Sequence, residues 1–142
     1  MNKFNLFVTI FTVAMLLMGC SSNQQFLENL NVTFENEGAT MPTEFQTYTV
    51  QLTDSAGDVV DVDEVYLYMN MERMNHPIEG TMHNISEGVY ELELPLAMAG
   101  EWYANITVTN DGDVKLFEGF VLYAEGERQM EFMKGYNADK EN

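Results

Sequence analysis

Apolar and polar residues alternate along most of the chain between residues 30 and 125, and this period of two predicts β-strands. Six segments show the pattern: 30–34, 45–53, 63–70, 88–94, 100–109 and 114–123. A shorter edge strand is expected near residues 81–85. Each segment has one apolar face, which is typical of antiparallel sheets with one solvated side. The pattern therefore predicts an all-β antiparallel sandwich of about 6–8 strands over residues 29–126.

Turn residues support this division into strands. Asn110-Asp111-Gly112 is a strong signal for a tight hairpin, because these residue types tolerate positive φ. Gly119 lies inside the last segment and suggests a bulge. Trp102 falls on a central strand, so we expect it at the middle of the core.

The first nineteen residues have a different pattern, with one base at Lys3 and a nearly continuous apolar run after it. This predicts a secretory signal, too short for a spanning helix. It ends in Leu17-Met18-Gly19-Cys20, which resembles a bacterial lipobox. The resemblance implies cleavage before Cys20 and acylation of its thiol, for example by palmitate. The alternative is an uncleaved anchor in which Cys20 is incidental.

The lipobox implies a domain order and a location. Residues 1–19 are the lipoprotein signal peptide, and residues 20–28 are the lipidated cysteine and a polar tether. Residues 127–142 are a polar, loose C-terminal tail with three apolar residues that could act as a latch. The mature chain is then lipid-anchored to the cell membrane on its extracytoplasmic face.

Composition excludes several classes of protein. With 6 Lys+Arg against 23 Asp+Glu, the net charge of −17 is unsuited to general nucleic-acid binding. One cysteine allows no intramolecular disulfide and no Cys-paired zinc site. We find no nucleophile elbow, phosphate loop or dinucleotide fingerprint. The chain is therefore predicted not to be an enzyme.

Several short motifs, taken in order, resemble the FixH/YtkA-like domains of bacterial extracytoplasmic proteins. They are D-x-x-G-D-V-V-D-V-D-E-V at residues 54–65, Gly88-Val89-Tyr90, and the segment 98–102 that ends in Gly100-Glu101-Trp102. The resemblance covers about residues 30–124. It implies an immunoglobulin-like sandwich without enzymatic activity, associated with copper handling and assembly of respiratory oxidases. The chain departs from the family at Asp61 to Glu64, where acids replace a small residue, and in lacking a His-rich tail.

The chain is locally rich in methionine and histidine after the third predicted strand. The candidate ligands are Met71, Met74, His76, Met82 and His83. Thioethers and imidazoles suit copper, above all soft Cu(I). Outside the membrane thiols are often oxidised, which leaves methionine and histidine as the practical ligands. The sequence thus predicts a copper-binding module that buffers the metal or passes it to another extracytoplasmic copper or oxidase-assembly protein.

Packing is the competing interpretation for each sulfur. Met69 continues an apolar face and is expected in the core, whereas Met71 shares that face at the strand end and could serve either role. Met74 and His76 are expected in a polar loop. Met82 and His83 are adjacent and point to opposite faces of a strand, so at most one easily joins His76.

Two further interpretations remain open. Five acids lie near one predicted turn and could bind Ca²⁺ through oxygen ligands, but their spacing does not match an EF-hand loop and a solvated acidic turn is the favoured interpretation: Asp54, Asp58, Asp61, Asp63 and Glu64. The alternative to copper binding is a non-metal protein-interaction module of the cell envelope. It would use a sheet edge or the outward face of Tyr66 and Tyr68, because tyrosine is enriched at interfaces.

Overall fold

The computed structural model describes residues 22–140, with side chains from residue 25 onward. One helix, ten strands and two 3-10 helices are found within this range. Their bounds are α1 Ser22–Glu28, β1 Asn31–Phe34, β2 Thr40–Pro42, β3 Gln46–Thr53, β4 Glu64–Met71, β5 Met74–Thr81, β6 His83–Ser86, β7 Val89–Leu94, β8 Gly100–Asn110, β9 Asp113–Glu125, η1 Met130–Phe132, β10 Tyr136–Asn137 and η2 Ala138–Lys140. The prediction of a mainly β chain is confirmed.

The strands form two sheets on either side of one apolar core. The smaller sheet has the order β1-β3-β7-β6, and the larger has the order β10-β5-β4-β8-β9-β2. The inward residues of β3, β4 and β8 alternate with half-buried or exposed residues, as the sequence pattern predicts. Trp102 is fully buried, and its indole Nε1 donates a hydrogen bond to the Met98 carbonyl over 3.0 Å.

Local backbone features agree with the turn signals. Asn110 pairs with Asp113, and the two residues between them have positive φ, 50° at Asp111 and 84° at Gly112. The register of β8 against β9 shifts opposite residues 117–120, around Gly119, whose φ is 93°. The predicted hairpin and bulge are both confirmed.

Two short strands differ from the antiparallel prediction. Strand β2 pairs in parallel with the end of β9, and β10 pairs in parallel with β5. Both lie at the outer edges of the larger sheet, where a chain segment can dock without a hairpin connection. Periodicity does not reveal such two- or three-residue strands, which explains why the described residues contain ten strands and not six to eight.

Strand β5 is the main difference from the sequence prediction. Residues 74–81 were predicted to begin as a polar loop, but they return antiparallel along β4 after a tight turn at Glu72-Arg73. Pro77 argues against a strand in the sequence, since proline is expected at edge strands and at strand ends and not in the interior of a central strand. His76 and Ile78 consequently face the interior and are buried.

Both ends of the described chain are more ordered than the sequence suggests. Residues 22–28, in the segment predicted as the tether, form α1, with Leu27 buried and Lys115 Nζ donating to its carbonyl over 3.0 Å. Residues 130–140 form η1, β10 and η2 where a loose tail was expected, and of the expected latch residues Phe132 and Met133 pack against the core whereas Met130 is exposed. The apolar side chains of Phe132 and Tyr136 supply the reason, because they pack against the core.

The predictions of a signal peptide and of a lipidated cysteine, Cys20, concern residues that the structure does not describe. Within residues 22–140, no helix is both long and apolar enough to cross a bilayer.

Candidate functional site

The hairpin between β4 and β5 brings two of the predicted ligands together. Met71 and Met74 are cross-strand partners beside the two-residue turn. Both line a groove of about 390 Å³ at the end of the larger sheet, together with Glu72, Arg73, Glu101 and Tyr103. Met74 is 45% exposed, so its thioether is open to solvent. The groove therefore combines two soft sulfur groups with two carboxylates and one guanidinium, so its charged side chains sum to a single negative charge.

Gly100 makes room for Met71 at the start of β8. A Cβ added at this glycine would lie 2.7 Å from Met71 Cε, and its φ of 136° disfavours other residues. The thioether methyl of Met71 thus lies directly over the backbone of β8. Gly100 therefore helps to define the position of the first predicted ligand.

Asn70 links Met71 to His76. Its Oδ1 accepts hydrogen bonds from the backbone amides of Met71 (2.9 Å) and His76 (2.8 Å). Its Nδ2 donates to Tyr68 Oη and to Asn75 Oδ1 over 2.9 and 3.1 Å. This buried carboxamide is fully satisfied and holds the irregular part of the hairpin in one arrangement. Sequence reasoning missed it, because a single asparagine at a strand end has no distinguishing pattern.

His76 is buried, with 9% of its surface exposed. Its Nδ1 lies 2.7 Å from the carbonyl oxygen of Met133. A carbonyl can only accept, so Nδ1 carries the proton and donates it. In the neutral ring the lone pair is then on Nε2, which is buried and has no hydrogen-bond partner among the described residues. An imidazole that donates one N–H to a backbone carbonyl and leaves the other nitrogen free has the arrangement of metal-ligating histidines.

Further methionines lie at the same end of the larger sheet, where β4 and β9 finish and β5 and β8 begin. We call this region the methionine end, and its members are Met41, Met71, Met74, Met98, Met130 and Met133. Met98 lies two residues before Gly100, and its carbonyl oxygen accepts the hydrogen bond of the Trp102 indole N–H. Gln129 donates its backbone N–H to the Ala97 carbonyl over 2.8 Å, which brings the following Met130 to this end. Neither Met130 nor Met133 was predicted as a ligand, since both were assigned to a loose tail.

Met82 and His83 lie away from the methionine end. Met82 is 4% exposed and packs in the core, and its backbone N–H donates to the carbonyl of Val65. Val65 lies one residue after the start of β4 and Met71 ends the strand, six residues or about 20 Å further along. His83 is exposed on β6 of the other sheet, opposite Glu91. The five predicted ligands therefore do not form one site, because β5 carries the chain the length of the sheet before Met82.

Carboxylates of the acidic turn accept hydrogen bonds from backbone amides. Asp54 Oδ1 accepts the backbone amides of Ala56 and Asp58, at 2.8 and 3.0 Å. Asp61 Oδ1 accepts from the Gly88 amide over 2.8 Å. Within residues 22–140 no group of three or more His, Cys, Asp or Glu side chains is placed to bind a metal. These carboxylates satisfy backbone donors in turns.

The outer face of the larger sheet carries half-buried tyrosines. Tyr68 and Tyr103 lie on neighbouring strands with their ring centroids 6.2 Å apart. Burial, and next the Tyr68 hydroxyl, raises the pKa of Tyr103. Burial also raises the pKa of Tyr66 to about 12, with Glu79 and Asp139 adding to the rise. Tyr66 and Tyr103 therefore present neutral phenols across physiological pH.

Comparison with known proteins bears on the fold. No protein-family model matches the chain, and no curated protein matches it. The Lin-41 filamin domain is similar to it, with a TM-score of 0.51 and 18% identity, over 68% of this chain and 92% of that domain. An engineered protein of known crystal structure is also similar, with a TM-score of 0.55 and 11% identity over 68% of this chain. The chain spans about a fifth of that protein's length, since the match covers 20% of it. At these identities the likenesses establish the fold alone, and the filamin domain supports an immunoglobulin-like one.

Proposed function

We propose that this chain is a lipid-anchored, extracytoplasmic copper-binding module with an immunoglobulin-like sandwich fold. The lipobox at Cys20 supports the location, and the methionine end supports the metal. The observation that carries the proposal is the His76 ring, whose Nδ1 donates to the Met133 carbonyl while Nε2 has no partner among the described residues.

The ligand set is redrawn from the sequence prediction. His76 Nε2 is the imidazole ligand. The thioethers of Met71 and Met133 are the sulfur ligands, because both residues are connected to His76 by hydrogen bonds. Asn70 holds the backbones of Met71 and His76 together, and Met133 contacts the ring through its carbonyl. One imidazole and two thioethers form a soft, neutral set that favours Cu(I) over harder ions. Met74, which is exposed in the adjacent groove, would receive the metal first.

A competition titration tests this proposal. The purified chain and a Met71→Leu/Met133→Leu variant are titrated with Cu(I) against a chromophoric chelator. Leucine keeps the apolar volume and removes the sulfur. We expect at least a tenfold loss of affinity in the double variant. The matched control is Met69→Leu, which removes a sulfur from the core and should leave the affinity unchanged. Equal competition by all three proteins, or none by the wild type, contradicts the proposal.

A second candidate is a protein-interaction module of the cell envelope. The neighbouring rings of Tyr68 and Tyr103 on the outer face favour it, because tyrosine buries area at low entropic cost. Co-purification from membranes should lose partner proteins in a Tyr66→Ala/Tyr68→Ala variant. A Thr47→Ala/Glu93→Ala variant, altered on the outer face of the other sheet, is the control. Identical sets of partners from all three chains would contradict this function.

A further inference from the structure

The C-terminal residues 129–140 lie along the outer edge of β5, and we call them the C-terminal strap. The strap begins at Gln129, bonded to Ala97, and passes His76 with the carbonyl of Met133. It then pairs Tyr136 with Ile78 and Asn137 with Glu79 in β10. The strap therefore helps to enclose the buried imidazole, together with the two sheets.

The hydrogen bonds and ring contacts that hold the strap lie near the surface, although some of its apolar side chains, among them Phe132 and Tyr136, also pack against the core. Phe45, Phe132 and Tyr136 form a triangle of edge-to-face rings with centroids 5.4 to 5.6 Å apart. The Asp139 carboxylate accepts bonds from the backbone N–H and hydroxyl of Thr81 at 3.0 Å, in an exposed position. The only ladder pairing of the strap in the described structure is the two-residue strand β10, and neither 3-10 helix contains a buried residue. A segment held by one short ladder and a partly buried apolar face opens at lower free energy than the whole domain unfolds.

Gly135 allows the strap to lie close to β5. Its φ is 103°, and a Cβ there would lie 2.8 Å from the carbonyl oxygen of Pro77. Two backbones therefore approach at a point that any larger residue would separate. This close approach is two residues after Met133, so loss of it would draw the carbonyl away from the His76 ring.

We propose that the C-terminal strap is a movable cover of the metal site. When it is docked, it covers His76 and orients the imidazole ring through the Met133 carbonyl. When it is lifted, the ring is exposed to incoming Cu(I). The identity of the metal rests on the proposed function, whereas the opening does not. Met133 is a positioning residue through its carbonyl, and its thioether moves with the strap. Loading of the site is then coupled to docking of the strap.

Acylation of histidines by diethyl pyrocarbonate, followed by mass spectrometry, measures how accessible His76 is to solvent. The full chain in detergent is used. His83 is exposed and serves as an internal standard. In Gly135→Ala we expect His76 to react at least tenfold faster than in the wild type, with His83 unchanged. The matched control is Gly57→Ala, which has a similar positive φ of 88° but nothing within 4 Å of the added Cβ. His76 should stay protected in the control.

A second variant keeps the test decisive if Gly135→Ala leaves the strap in place. A chain that ends at Arg128 lacks the strap, and its folding is checked by Trp102 fluorescence. Fast acylation of His76 in that chain supports the cover. Continued protection of His76 in a folded chain without the strap overturns it, as does a wild-type His76 that reacts as fast as His83.

Cu(I) transfer from the chelator separates this inference from the proposed function. If both hold, Gly135→Ala takes up Cu(I) faster than the wild type and binds it more weakly. If acylation of His76 accelerates but neither chain takes Cu(I), the cover stands and the copper function fails. If both chains bind Cu(I) with equal rate and affinity and acylation is unchanged, the copper function stands and the cover is overturned.

Discussion

Nδ1 of His76 lies 2.7 Å from the carbonyl oxygen of Met133, 57 residues further along the chain. This hydrogen bond joins an inward position of β5 to a segment that the sequence predicts to be loose. It fixes which ring nitrogen carries the proton and leaves the other available. The candidate site therefore depends on a contact between two parts of the chain that local pattern treats as unrelated.

Asn70 is expected to be essential to the hairpin end. Asn70→Ala removes the acceptor shared by the Met71 and His76 amides, and each buried unpaired donor costs about 1–3 kcal/mol. We predict a loss of at least about 2 kcal/mol in the free energy of unfolding, measured with urea. Asn75→Ala, which removes one bond from an exposed residue, should cost less than about 1 kcal/mol. Equal losses would contradict this role.

Tyr48 and Tyr90 should respond with opposite signs to loss of the hydroxyl. The Tyr48 hydroxyl is buried without a hydrogen-bond partner among the described residues, whereas that of Tyr90 accepts from the Val62 amide over 2.9 Å. Tyr48→Phe is predicted to stabilise the fold by about 1–3 kcal/mol. Tyr90→Phe should destabilise it by about 1 kcal/mol. Urea unfolding measures both, and a destabilised Tyr48→Phe would refute the assignment of an unpaired hydroxyl.

Tyr66 should contribute to loss of stability in alkali. Burial, Glu79 and Asp139 raise its pKa to about 12 in the folded chain, against about 10 when unfolded. The unfolded chain loses the proton first, so the contribution of neutral Tyr66 is complete below about pH 10 and is lost between about pH 10 and 12. Tyr66→Phe should show a shallower fall in unfolding free energy over that range. A fall as steep as that of the wild type would argue against it, with Tyr123→Phe as an exposed control.

Two methionines test the difference between core and surface. Met69 is fully buried, so Met69→Ala should cost about 2–5 kcal/mol through lost burial and the remaining cavity. Met74→Ala removes an exposed side chain and should change the unfolding free energy by less than about 0.5 kcal/mol. Unfolding followed by Trp102 fluorescence compares them. Similar costs at both positions would contradict the placement of these side chains.

Cys20 carries the prediction of a lipid anchor. Cys20→Ala should abolish metabolic labelling with a palmitate analogue and shift the protein out of the detergent-soluble membrane fraction. Ser21→Ala keeps the lipobox cysteine and should retain label. Label that persists without Cys20 would show that the motif is incidental.

Alternation of apolar and polar residues by itself determined the strands that span the core. Val65, Leu67 and Met69 share one face of β4 because successive side chains point to opposite sides of a strand, whatever the strand pairs with. Asp111-Gly112 likewise specified its hairpin, since positive φ is a local property of those residues. Such features depend on near neighbours in sequence, so pattern alone was sufficient for them.

Only the tertiary structure decided how the candidate site is assembled. The sequence predicts His76 in a loop beside a proline and Met133 in a tail, because the residues around them do not alternate between apolar and polar. Pairing of β5 with β4 and docking of the strap bring them together, while the same strand carries Met82 about 20 Å away. A residue's chemistry can be read from its type, but its partners are set by which strands lie side by side, and that depends on burial of the whole chain at once.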